Sequence, residues 1–122
     1  MRVVKITNLS NTSSIPLELG ICSNFISRLR GLMFTQSIPM DGGHFFINPS
    51  EDRINSAIHM FFMEIDLAII WLDSAGKVVD KIYANRWKTL AAPCKNARYI
   101  IETHPDRLRE YNCGDVLEIK YE

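Results

Sequence analysis

The sequence predicts an α+β fold that is mostly β: a small antiparallel sheet curled into a barrel-like domain, with two short helices. Three observations support this prediction. Short segments rich in β-branched or alternating apolar residues recur along the chain, an entirely apolar segment occupies residues 67–72, and turn-forming residues separate the segments. Connections this short favour hairpins, so we expect most neighbouring strands to be antiparallel.

The composition bounds the size and class of the protein. The 122 residues correspond to one domain, residues 1–122, and a hydrophobic fraction of 47% is typical of a folded globular protein. Lysine and arginine number 14, as do aspartate and glutamate, so a nucleic acid partner or a membrane surface is not expected. No apolar run reaches the ~20 residues that cross a bilayer. The first residues do not resemble a secretory signal, and we therefore expect a cytoplasmic protein.

The predicted strands follow from two kinds of pattern. Residues 3–7 are β-branched, and residues 15–22 alternate between apolar and polar side chains, which is typical of a strand with one wet face. Residues 67–72 are apolar throughout, so they predict a strand buried on both faces, and residues 73–76 form its hairpin turn. The remaining predicted strands are 44–47, 54–58, 77–84, 97–102 and 116–121.

Two short helices complete the prediction. The first spans residues 23–33, where Ser23 is a suitable N-cap, apolar residues four apart form one face and Gly31 suits the C-terminal turn. The second begins after residue 103 or 104, with Pro105 in its first turn. The two longest connections, residues 35–43 and 85–96, are where we expect function to reside.

Several segments resemble the DUF192 family, a domain family of unknown function. They are RLRGLM at 28–33, GHFF at 43–46, IHMFFM at 58–63 and CGD at 113–115. The likeness covers roughly residues 17–121 in the same order. It implies a single compact β-rich domain of bacterial or archaeal type, and it implies no established reaction, substrate or cofactor.

The chain departs from the pattern of this family at two positions. Family members commonly carry a proline and then an aspartate after the second methionine, in the order M-x-x-P-I-D. Here Asp66 takes the place of the proline and Ala68 the place of the aspartate. If that aspartate carries chemistry, this chain has lost it or supplies it from Asp66 or Glu64.

Basic residues cluster at the end of the first predicted helix and around the second long loop: Arg28, Arg30, Arg86, Lys88, Lys95 and Arg98. If Arg28, Arg30 and Arg98 converge with His59 and Trp87 at the barrel mouth, they form an anion site with an aromatic platform. A binding or interaction module for a small anionic ligand, or for a protein, is therefore the leading hypothesis.

The same residues also have a purely structural interpretation, without a ligand. Arg28 and Arg30 would then be solvated or paired with carboxylates such as Glu64 and Asp66. Trp87 would fold back over the barrel end, because tryptophan is usually largely buried.

Two further hypotheses concern chemistry at the same stretch. His59 and Met63 would share one face of a strand and suit soft copper, although a site would need another ligand such as His44. The alternative is that the methionines fill core gaps. A thiol- or His/Asp-dependent hydrolase or transferase would use Cys94, His59 or Asp66. The three cysteines, Cys22, Cys94 and Cys113, form no CxxC pair and indicate no disulfide framework.

Overall fold

The architecture is described from a computed structural model of the chain, which describes residues 2–22 and 36–122. The predicted helix at 23–33, with Arg28 and Arg30, lies outside the described residues. Nine strands and one 3-10 helix are present in the described part. The strands are β1 Val3–Asn8, β2 Leu17–Cys22, β3 Gly43–Asp52, β4 Ile58–His59, β5 Leu67–Leu72, β6 Val78–Ala84, β7 Leu90–Ala91, β8 Ala97–Thr103 and β9 Leu117–Tyr121, and the helix is Pro105–Glu110.

Seven strands form one curled sheet in the order β6-β5-β8-β3-β2-β1-β9, and β4 pairs with β7 beside it. All pairs in the large sheet are antiparallel except β2 with β3. The two outer strands approach each other at one end, where Lys77 bridges Val116 and the Leu117 N–H donates to the Gly76 carbonyl at 2.9 Å. The sheet is therefore a half-barrel, and the prediction of a mostly β, curled, mostly antiparallel fold is confirmed.

Each face of the sheet carries its own hydrophobic core, and β5 contributes to both. Ile69 and Trp71 pack on one face with Phe46, whereas Ile70 and Leu72 pack on the other. All six residues of β5 are buried, as the apolar run at 67–72 predicts. Burying each large aliphatic side chain contributes roughly 1.5–3 kcal/mol, so this strand is the main hydrophobic element of the fold.

The second helix differs from the prediction because it is a 3-10 helix of six residues, Pro105–Glu110. The His104 ring caps it by accepting the Asp106 N–H at 3.1 Å. The chain leaves the helix at Tyr111, whose backbone is extended and whose ring is fully buried. Two short helices are thus not confirmed, and no helix in the described residues is long and apolar enough to cross a membrane.

Two predicted strand boundaries are wrong for reasons visible in the hydrogen bonds. The third strand continues through Pro49 to Asp52, because the β3–β8 register shifts after Ile47 and the missing proline N–H falls at this irregularity. Residues 54–57 turn instead of extending, because the Asp52 carboxylate accepts the N–H of Ile54 at 2.6 Å. Only Ile58 and His59 remain as strand β4.

Gly43 is required where β3 approaches β8. Its φ is 137°, and a side chain there would overlap the carbonyl oxygen of Glu102. We expect Gly43→Ala to destabilise the fold by about 4 kcal/mol or more, because neither backbone can move without breaking the ladder. Gly114→Ala is the control, since its φ is also positive, 95°, but no atom lies within 4 Å. It should cost only about 1 kcal/mol. Urea unfolding of both variants tests this, and similar losses would contradict it.

Candidate functional site

Two turns meet beside β4 and β7 and present aromatic side chains to solvent. The Met60 N–H donates to the Thr89 carbonyl at 2.9 Å, and the Trp87 N–H donates to the Met60 carbonyl at 2.9 Å. Met60 and Met63 are buried in the core, so the residues between them point outward. This anchoring fixes the turn at residues 60–63 against the loop at residues 85–89.

Phe62 and Trp87 stand at the tips of these two turns. They have φ values of 65° and 64°, and among the described residues they are the two non-glycine residues with positive φ. Their rings contact edge to face at a centroid distance of 5.2 Å. The residues are 46% and 47% exposed. Bulky residues rarely adopt this left-handed conformation, and it costs on the order of 1–3 kcal/mol at each position.

A second aromatic contact extends this surface. The exposed His59 ring stacks on Phe61 at a centroid distance of 5.4 Å. We name the surface formed by His59, Phe61, Phe62 and Trp87 the aromatic tip. The prediction placed His59 and Trp87 together at a barrel mouth, and the structure has His59 at the end of β4 and Trp87 on the facing loop.

An ion pair braces the aromatic tip on one side. The Asp66 carboxylate accepts the Arg86 backbone N–H at 2.9 Å, the Arg86 Nε–H at 3.1 Å and the Tyr83 hydroxyl at 2.7 Å. The Arg86 Nη1 group also donates to the Glu64 carbonyl at 3.1 Å. The backbone and side-chain hydrogen bonds from Arg86, followed by that from Tyr83, lower the pKa of Asp66 to about 2. Asp66 is thus a partner of Arg86, where the sequence suggested Arg28 or Arg30.

The other predicted site residues lie in different surroundings. The Cys94 N–H donates to Asp80 Oδ2 at 2.9 Å and its Sγ lies 3.5 Å from the Val79 carbonyl oxygen, so its described contacts do not involve a histidine. Arg98 donates through Nε to the Asn48 carbonyl, and its guanidinium lies 5.8 Å from the Tyr99 ring centroid. Arg98 therefore braces the irregular part of β3.

The expected pairing of His59 with Met63 on one strand face does not occur. Strand β4 ends at His59, so the alternation that would align the two side chains is lost. Met63 is buried and His59 is exposed. Within residues 2–22 and 36–122, no group of three His, Cys, Asp or Glu side chains is arranged to hold a metal ion.

A second polar group lies on the large sheet, and sequence reasoning missed one of its members, Glu102. Cys22 on β2, His44 on β3 and Glu102 on β8 lie on the face that carries Phe46 and Ile69. Burial raises the pKa of Glu102 to about 7 and lowers the pKa of His44. Burial, with a smaller effect of the Glu102 charge, raises the pKa of Cys22 to about 11.

The alternation of side chains along the strands predicts that two members of this group face inward. It places His44 on the same face as residue 46 and Glu102 on the same face as residue 100, and both of those neighbours are apolar. An ionisable residue at an inward-facing strand position indicates a buried polar site. What the sequence does not contain is the pairing of β3 with β8, which makes the two residues neighbours.

Comparison with known proteins supports the resemblance found in the sequence. The model of the DUF192 family, described as an uncharacterized ACR, matches residues 6–119. A UPF0127 protein of Thermococcus kodakarensis is 44% identical over 102 residues, which cover 82% of this chain and 63% of that protein. A UPF0127 protein of Thermococcus gammatolerans is 44% identical over 85 residues, which cover 70% of this chain and 54% of that protein. The chain thus spans little more than half the length of these relatives.

Two solved structures have the same fold. One is a protein described as a putative transcription regulator from Sinorhizobium meliloti 1021, with a TM-score of 0.83, 17% identity and coverage of 97% of this chain and 92% of that one. The other is a protein of unknown function from Novosphingobium aromaticivorans, with a TM-score of 0.78, 19% identity and coverage of 95% and 83%. Identities this low show the shared fold alone.

The raised pKa of Glu102 makes a prediction about stability. The folded protein retains a proton on Glu102 up to a pKa of about 7, whereas the unfolded chain loses it near 4.5. The free energy of unfolding should therefore fall as the pH rises from 4.5 to 7, by about 3 kcal/mol for this group. The lowered pKa of His44 has the opposite effect, because it makes the free energy of unfolding rise with pH below 6.5.

Glu102→Gln removes the ionisation of Glu102 and leaves His44 in place. The stability of this variant relative to the unchanged protein should therefore increase by about 3 kcal/mol between pH 4.5 and pH 8. Urea unfolding at several pH values measures the difference. Glu118→Gln, at an exposed position of β9, is the control and should show a constant difference. A constant difference for Glu102→Gln would contradict the prediction.

Proposed function

Because this chain belongs to the DUF192 family, a family described as uncharacterized, we propose a function from its geometry. We propose a non-enzymatic binding module whose site is the aromatic tip and whose ligand is a small anion with a planar ring. The observation that carries the proposal is the contact between Phe62 and Trp87, both left-handed, half-exposed and held edge to face.

The energetic state of the aromatic tip supports binding. Left-handed backbone at two bulky residues is unfavourable, and two half-exposed rings leave apolar surface in water. A ligand that covers the rings removes their apolar surface from water, which is favourable. The hydrogen bonds from Met60 to Thr89 and from Trp87 to Met60 hold the rings in place before binding, so little ordering is required when the ligand arrives.

The charges beside the tip support an anionic group on the ligand. Lys88 is exposed next to Trp87 and makes no ion pair with another described residue. Arg86 is held by Asp66, whose low pKa keeps the pair charged at neutral pH. The predicted participation of Arg28 and Arg30 remains a prediction, and both would add positive charge.

The proposal also includes a cellular location and a second class of ligand to be tested. The three free cysteines, two of them exposed, support a cytoplasmic location, where thiols stay reduced. The description of the Sinorhizobium meliloti protein as a transcription regulator makes DNA the second ligand to test. The zero net charge favours the small anion, since nucleic acid binding depends on phosphate neutralisation.

Tryptophan fluorescence provides a direct test. Trp71 is fully buried with its Nε1–H donating to the Ser56 carbonyl, whereas Trp87 is exposed, so a ligand that stacks on the tip alters the emission of Trp87 alone. We expect an aromatic carboxylate or a mononucleotide to quench it with saturation. Acetate and inorganic phosphate, which lack a ring, should not. Binding of duplex DNA that weakens steeply with salt, with no response to mononucleotides, would favour the DNA alternative.

Trp87→Asn tests whether the ring itself binds. Asparagine tolerates the left-handed conformation, so the free energy of unfolding should change by no more than about 1 kcal/mol. Loss of one stacking ring should weaken binding about tenfold or more. Because this variant lacks the reporter, titration calorimetry measures its affinity. Ile15→Asn, in the loop before β2 at a site that is 68% exposed, is the matched control. Equal affinity in the two variants would exclude the tip as the site.

A further inference from the structure

A groove runs between strand β6 and the 3-10 helix, and we name it the helix groove. The helix packs against β5 and β6 and keeps one side open to solvent. The residues that line the groove are Lys81, Pro105, Asp106, Leu108 and Arg109. Its volume is about 390 Å³, within the range of pockets that bind small molecules. None of these residues belongs to the aromatic tip, and the inference that follows does not rest on the proposed function.

The 3-10 helix arranges its groove-lining side chains in two rows. This type of helix has three residues per turn, so side chains three positions apart lie one above the other. Pro105 and Leu108 therefore form an apolar row, and Asp106 and Arg109 form a charged row beside it. Both rows line the same groove. A molecule in the groove therefore meets an apolar surface and two opposite charges at once.

The two members of the charged row do not pair with each other. Arg107 and Glu110 have the same spacing in the same helix, and they form an ion pair at 2.8 Å. Asp106 and Arg109 form none, although both are exposed. The Asp106 carboxylate lies 3.9 Å from His104 Nδ1, but that nitrogen accepts the Asp106 backbone N–H and cannot also donate to the carboxylate. Both charges of the row are therefore available to a ligand.

Lys81 supplies a second positive charge from the opposite wall of the groove. The side chain is half-buried, and its ammonium donates to the Leu108 carbonyl at 3.3 Å. A lysine ammonium has three N–H groups, so two remain for a ligand. Among the described residues it forms no ion pair, and the carboxylate of the preceding Asp80 accepts the backbone N–H groups of Cys94 and Lys81 instead. The half-buried ammonium thus lacks a counter-charge.

The chemistry of the lining determines what a ligand must contain. Lys81 and Arg109 call for a carboxylate, which a guanidinium can bind through two parallel hydrogen bonds. Asp106 calls for an ammonium group, and the apolar row calls for an aliphatic group. An α-amino acid carries all three on one carbon atom. A residue inside a peptide chain has neither charge on its backbone, so the lining favours the free amino acid.

We propose that the helix groove binds a free α-amino acid with an aliphatic side chain, such as leucine. The ligand carboxylate accepts hydrogen bonds from the Lys81 ammonium and the Arg109 guanidinium. The ligand ammonium donates to the Asp106 carboxylate, and the aliphatic side chain packs on Leu108 and Pro105. Ion pairs at exposed positions are individually weak, so we expect a dissociation constant on the order of 1 mM.

The test is a titration of the full chain with L-leucine at neutral pH, followed by heteronuclear NMR. The amide signals of Leu108 and Arg109 should shift and saturate, which gives both the location and the affinity of the ligand. Two analogues separate the charged contacts: isocaproate lacks the ammonium group, and isoamylamine lacks the carboxylate. Each should bind about tenfold more weakly than leucine, because each loses a charge-assisted hydrogen bond.

Two variants at exposed positions assign the contacts to residues without endangering the fold. Asp106→Asn should weaken leucine binding about tenfold and should not weaken isocaproate binding, whereas Arg109→Gln should weaken both about tenfold. Lys120→Gln, at an exposed position of β9, is the matched control and should leave the affinity unchanged. Shifts that stay linear with leucine concentration, equal affinity for leucine and isocaproate, or equal leucine affinity in Arg109→Gln and Lys120→Gln would overturn the proposal.

Discussion

The double burial of strand β5 determines the layout of the molecule. Its six apolar side chains alternate between two faces, so the strand is stable only when both faces are covered. One face is covered by the curl of the sheet itself, which brings Val4, Leu17 and Leu117 onto Ile70. The other face cannot be covered by the same sheet, and the chain supplies separate turns for it.

The aromatic tip is the solvent-facing side of the turns that cover this second face of β5. The turn at 60–63 places Met60 and Met63 into the core with Trp71, and this requirement directs the residues between them toward solvent. The Met63 N–H closes this turn on the Met60 carbonyl at 3.1 Å, and Phe62 takes a positive φ at its third position, as in a type II turn. Trp87 occupies the same position in the facing turn, which the Lys88 N–H closes on the Asn85 carbonyl at 3.3 Å.

The sequence is sufficient for the parts of the fold that depend on local pattern. The run at 67–72, the turn at 73–76 and the alternation at 15–22 each specify a strand or hairpin from neighbouring residues alone. The parallel pairing of β2 with β3 depends on contacts between distant segments, and local pattern carries no trace of it. The same limit applies to the site. His59 and Trp87 were identifiable by residue type, whereas the left-handed backbone of Phe62 appears only once both turns are packed.

The placement of His44 opposite Glu102 depends on the register between β3 and β8, so it requires more than the two strands lying side by side. A slip of one residue between β3 and β8 would turn His44 away from Glu102 and place Phe45 in the wrong core. Gly43 opposes such a slip, because only a residue without a side chain fits against the Glu102 backbone. The glycine that allows β3 to lie this close to β8 thus also fixes the imidazole opposite the carboxyl. Because both residues are held by backbone pairing, their spacing does not depend on hydrogen bonds between their side chains.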